Sequence, residues 1–75
     1  MTLLEAKSDE RLRIIDIMAG RQLRQSLAHL GIEIGSLIQV SRSAPLSGPL
    51  IIKYNESETA IGRGIASKIV VERVR

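Results

Sequence analysis

Seventy-five residues suffice for one small domain, residues 1–75, and leave no room for a second. Zero cysteines exclude disulfide staples and thiolate metal sites and suit a reducing compartment, while a single aromatic, Tyr54, excludes the stacking platforms that bind single-stranded nucleic acid and the multi-aromatic grooves that bind proline-rich peptides. The net charge of +3 and pI near 10.0 come from basic residues scattered along the chain, a mild field rather than the dense cluster of a nucleic-acid footprint.

Met1 to Glu5 is too short an apolar run for a signal peptide, and nowhere do about eighteen apolar residues run together as a membrane span requires. A soluble, cytoplasmic protein is expected. Leu3 and Leu4 of this leader are placed across the edge of the fold, and Ser8-Asp9-Glu10 reads as a polar turn. Arg11 to Met18 is a β run in which Ile14, Ile15 and Ile17 cannot all face one way, so a bulge or two-sided burial is expected. Ala19-Gly20 breaks it.

Arg21 to Leu30 is the one convincing α-helix, with Leu23, Leu27 and Leu30 at i, i+4 and i+7 forming an apolar stripe. Gly31 is placed to end it in a left-handed cap. Ile32 and Ile34 are expected to pin the helix onto the next strand. From Gly35 to Tyr54 the pattern is strand, loop, strand: Ile38 and Val40 share one face of the first, and Leu50, Ile52 and Tyr54 one face of the second. Pro45, Gly48 and Pro49 deny a continuous ladder between them, and Pro49 fits only at the mouth of the second strand. Leu46 is the one apolar side chain within that loop, able either to plug the core or to meet a partner. Asn55-Glu56-Ser57 is a hairpin turn, Glu58 to Ile61 a short strand, Gly62-Arg63-Gly64 a break, Ile65 to Ser67 a helical turn and Lys68 to Val74 the closing strand. The sum is mainly β with one α-helix, in the manner of a small barrel of five strands. Leu27, Ile38, Val40, Ile52 and Ile69 are the expected core.

The stretch LRQSLAHLGIEIGSLIQVSRSAPLSGPLIIKY resembles the ferrous iron transport protein A (FeoA) family in its helix, its Leu30-Gly31 turn, its glycine-initiated strand and its Arg42-Ser43-Ala44-Pro45-Leu46 loop. Ile14 to Ile17 lies where the family has its first strand and Arg63 to Val71 where it has a helical turn and last strand. Two positions depart: no Tyr or Phe stands near Ser57 or Thr59, and Gly64-Ile65 replaces an acidic pair. The resemblance implies a five-stranded SH3-like barrel. It further implies an accessory protein of ferrous iron uptake that contacts the cytoplasmic portion of a FeoB-type membrane ferrous iron transporter, with its G-protein domain as target. The alternatives are a metal-responsive regulatory domain like the SH3-like end of iron-dependent repressors and a nucleic-acid-binding barrel.

No catalytic set emerges, and neither enzyme activity nor a cofactor is expected. Ser26 and His29 sit at i, i+3, a spacing common by chance. His29, the sole histidine, has Glu33 at i+4, but two ligands do not make a strong metal site, and no metal site is assigned. Gly62-Arg63-Gly64 lacks the rest of a phosphate loop, and its glycines are expected to supply unusual turn dihedrals. Asp16 among isoleucines is the most unusual ionisable residue, expected to accept backbone hydrogen bonds or to face solvent. The expected partner surface combines the Ala44 to Pro49 loop, with Pro45, Leu46 and Pro49, and the basic side of the helix, Arg21 and Arg24.

Overall fold

A computed structural model of the chain describes residues 1–43 and 48–74. The elements in order are a 3-10 turn (Leu3–Glu5), β1 (Arg11–Ile17), α1 (Arg21–His29), β2 (Leu37–Ser43), β3 (Leu50–Tyr54), β4 (Ser57–Ile61), a four-residue helix α2 (Arg63–Ala66) and β5 (Ile69–Arg73). The strands form one antiparallel sheet in the order β4-β3-β2-β1-β5. The five-stranded SH3-like fold is thus present, and each expected element lies within a few residues of its place. Among the described residues the hydrogen-bonded ladder ends at β4 on one side and β5 on the other.

The sheet curls around an aliphatic core because each strand alternates. Leu12, Ile14 and Ile17 of β1, Ile38 and Val40 of β2, Leu50 and Ile52 of β3, Ile61 of β4 and Ile69 and Val71 of β5 are all buried. All five side chains expected in the core are there. The three-isoleucine conflict in β1 is resolved by a register shift against β5 between Ile14 and Asp16, which turns Ile15 out and lets Ile14 and Ile17 both face inward. The β3–β4 turn is a two-residue loop, Asn55-Glu56, in which Asn55 takes φ 55°, the positive φ that the first position of a two-residue hairpin loop needs to match the twist of its strands.

The leader does more than lie across an edge. Val71 donates its N–H to the Met1 carbonyl at 2.8 Å and Thr2 bridges to Val70, so residues 1–2 cover the outer edge of β5. Leu3 is fully buried while Leu4 stays at the surface.

The stripe of α1 is only partly used. Leu27 is buried, Leu23 half-buried and Leu30 exposed. The cause is the helix ending. Gly31, at φ 84°, donates to the Ala28 carbonyl at 2.9 Å, and Ile32 donates to the Leu27 carbonyl at 2.9 Å. This is the paired bonding of a Schellman motif, whose usual apolar contact sits between the residues at Leu27 and Ile32. Ile32, brought back under the helix, takes the place that Leu30 was expected to fill. Ile34 does not pin the helix either. Ser36 donates its N–H to the Glu33 carbonyl at 3.0 Å, closing a tight turn with Ile34 at its tip, 55% exposed.

Candidate partner-binding surface

β1 ends where Ala19-Gly20 interrupts the strand, and α1 begins at Gly20 with no side chain capping its start. The interruption leaves the Ile17 and Ala19 carbonyls facing the first turn of the helix. Arg24, one turn in, folds back over them: its Nε donates to the Ala19 carbonyl at 3.0 Å and its Nη2 to the Ile17 carbonyl. Asp16 Oδ1 lies 3.5 Å from the same Nη2 and also accepts the Ile17 N–H at 2.8 Å. Asp16 therefore both accepts a backbone hydrogen bond and orients an arginine, its carboxyl remaining at the surface. Arg24 is a clasp between strand and helix rather than a free surface cation. Both hydrogens on its Nη1 are unused among the described residues, and the side chain remains 44% exposed.

Beside this clasp runs an open cleft of about 590 Å³ between α1, the end of β1 and the 32–34 turn. Ile17, Ala19, Ala28 and Ile32 give it apolar walls, Arg21, Arg24 and Gln25 its polar edge on the helix, and Glu33 and Ile34 its far edge. Arg21 has no ion pair or hydrogen bond among the described residues. This cleft escaped sequence reasoning, since its walls come from three separate stretches. The only signal was an excess of isoleucine and alanine around the helix.

The other expected site residues are scattered. Pro49 is exposed and immediately precedes β3, as its missing N–H requires. Pro45 and Leu46 lie outside the described residues, so the structure places neither. His29 and Glu33 are both exposed, and among the described residues no group of three or more His, Cys, Asp or Glu side chains comes together as metal ligands would. Ser26 shares the exposed face with His29. Tyr54 is half-buried with its ring against Gly31. Gly62 and Gly64 correct one expectation. Gly62 is the extended N-cap of α2 at φ −64°, Gly64 lies within that helix, and neither has the positive φ that Gly31 and Gly35 show. The short helix, not a special turn, sets their conformation.

The sequence profile of the FeoA domain matches residues 1–73. The chain belongs to the FeoA family. A relative from Methanocaldococcus jannaschii, provisionally named Fe(2+) transport protein A, is 45% identical over 67 residues, covering 89% of this chain and 79% of the relative. The crystal structure of an iron uptake regulatory protein, FeoA, superposes with a TM-score of 0.90 at 32% identity, over 99% of this chain and 97% of the other. The manganese-activated repressor ScaR has a similar unit, TM-score 0.88 at 23% identity, covering 99% of this chain but 35% of the repressor. That likeness is one of fold alone. Membership of the FeoA family ties the chain to ferrous iron transport, and among the described residues no helix is long and apolar enough to cross a membrane.

Proposed function

We propose that this FeoA-family chain acts in the cytoplasm as a non-enzymatic accessory of ferrous iron uptake, by contact with the cytoplasmic portion of a FeoB-type membrane transporter, its G-protein domain above all. The observation that carries the reading is the family match over residues 1–73 of a 75-residue chain. A unit this small, tied to ion transport but with no helix among its described residues able to span a bilayer, has protein contact as its most direct route to influence a membrane pathway. The basic start of α1 and the Ala44 to Pro49 loop form the contact. Arginine is common at interface hot spots, and proline pre-orders a loop so that less entropy is lost on docking.

The test is a pull-down of the tagged full chain with the transporter from membrane extract, set beside the melting temperature. Wild type retains the transporter, and Leu46→Ser and Arg24→Glu weaken retention. Because Arg24 also clasps β1 to α1, its variant lowers the melting temperature as well, and Leu46→Ser is the cleaner probe. Failure of wild type to retain the transporter refutes the proposed contact.

A further inference from the structure

The cleft beside α1 has a polarity that selects its occupant. At the N-terminal end of the helix stand Arg21, unpaired among the described residues, and Arg24, whose guanidinium is already held by the Ile17 and Ala19 carbonyls and Asp16. A fixed guanidinium with an unused Nη1 edge loses little freedom when a carboxylate arrives. The uncapped start of α1, where the helix dipole is positive, adds to the same end. At the other end, beyond the helix C-terminus, stands Glu33. The arginines and Glu33 thus stand on different rims of the cleft, one on the helix and the other on the turn that follows it. Between them the walls are apolar, and Ile34 projects at the edge as one of the chain's most exposed large hydrophobic side chains.

We infer that this cleft receives an acidic amphipathic segment of a protein partner. An aliphatic or aromatic side chain enters between Ala28 and Ile32, and a carboxylate is bound by Arg21 and the free edge of Arg24. The opposed charges at the two ends fix the direction in which the segment lies. The identity of the partner rests on the reading above; the chemistry of the occupant does not. Arg24 thereby has a second use that its clasp prepares. The inference deepens the contact proposed above by placing its apolar anchor on the helix side of the molecule.

Two arms test it with the full chain. In the first, the cytoplasmic portion of the transporter is titrated against wild type, Ala28→Leu, which fills the cleft without altering charge, and Arg21→Glu. Each variant is expected to weaken binding on the order of tenfold, the scale of an interface hot spot, with the melting temperature held. Lys53→Glu, on β3, leaves binding unchanged. Undiminished binding by both cleft variants overturns the cleft while leaving the transporter contact standing. The second arm needs no transporter. A synthetic helical peptide of leucines and glutamates, and its counterpart with lysines for glutamates, are added to labelled chain and amide shifts followed. The acidic peptide is expected to move Arg21, Ala28, Ile32 and Ile34, the basic one not, and Ala28→Leu to abolish the effect. Equal response to both peptides, no response at those residues, or filling of the cleft by a second copy of this chain overturns the inference.

Discussion

Gly31→Ala is expected to be among the costliest single-methyl additions in this chain, for two separable reasons. Gly31 holds φ 84°, where a Cβ crowds the following carbonyl, a cost of about 1–2 kcal/mol for a residue other than glycine. A Cβ there would also lie 2.5 Å from Tyr54 Cε2 and 2.6 Å from Cδ2, well inside contact distance. Overpacking of that kind costs about 1–3 kcal/mol, toward the lower end here because the ring is only half-buried and can swing outward. The sum is about 2–4 kcal/mol, a large share of the stability of a small domain.

Gly35 supplies the internal control. Its φ is 95°, yet a Cβ there meets nothing within 4 Å. Gly35→Ala should therefore lose only the backbone part, about 1–2 kcal/mol. Urea unfolding followed by circular dichroism measures both, and Gly31→Ala is then repeated in a Tyr54→Leu background. With the ring gone the cost of Gly31→Ala should fall to that of Gly35→Ala, leaving a coupling of about 1 kcal/mol or more between positions 31 and 54. Equal losses at Gly31 and Gly35 in the wild-type background, or strict additivity with Tyr54→Leu, would refute the close-approach argument.

Other outcomes are expected from the same structure. Ile52→Ala and Leu3→Ala should each lose on the order of 2–5 kcal/mol in chemical denaturation, since both side chains are fully enclosed, and a loss below ~1 kcal/mol at Leu3 would mean that the leader is not part of the core. Gly64→Ala should raise the melting temperature, because Gly64 sits inside α2 with open space around it and exchanging glycine for alanine in a helix gains roughly 0.5–1 kcal/mol; a lower melting temperature would contradict the placement of α2. Glu10 accepts the Lys7 N–H at 2.6 Å and pairs with Arg73, and these, the backbone bond first, hold its carboxyl below the ordinary range. A depressed folded value contributes stability that is complete above the unfolded value of about 4.3 and is lost as pH falls through the folded one. Glu10→Gln should therefore flatten the acid limb of a stability–pH profile, and an unchanged limb would dismiss the contribution.

The strands were legible because burial here follows a period of two with aliphatic side chains only. Ile38, Val40 and Ile52 could face nowhere but inward, and the crowding of Ile14, Ile15 and Ile17 required either a bulge or two-sided burial, between which only the pairing with β5 decides. Helix ends were less legible, because a Schellman turn spends its apolar contact on a residue beyond the helix. Leu30 fits the stripe as well as Leu27 does, yet Ile32 takes the buried place through a chain reversal that only the positive φ of Gly31 allows. Gly62 and Gly64 misled in the opposite sense: a Gly-x-Gly pair suggests special dihedrals, and a short helix absorbed both. The cleft was invisible in one dimension, since Ile17, Ala28 and Ile32 are joined only when Arg24 ties the end of β1 to the first turns of α1.

That tie also determines how the surface has to be probed. Read along the helix, Arg21 and Arg24 are equivalent, two cations one turn apart on a polar face. In the fold they differ in kind. Arg21 reaches no partner among the described residues, so replacing it removes charge from the rim and little else. Arg24 donates to two carbonyls at the point where strand gives way to helix, so replacing it takes the side-chain donor from the Ala19 carbonyl, leaves the Ile17 carbonyl to the Ala19 N–H, leaves Asp16 without its cation and lets the cleft wall shift. A binding loss in Arg24→Glu therefore mixes the loss of a contact with the loss of the site's shape. Arg24→Lys sharpens the point: it keeps the charge but cannot hold two divergent carbonyls with a planar fork. If the cleft needs the fork for its geometry, Arg24→Lys should weaken partner binding nearly as much as Arg24→Glu while Arg21→Lys weakens it little. If charge alone matters at both positions, the two lysine variants should behave alike, and the clasp would then be a matter of stability only.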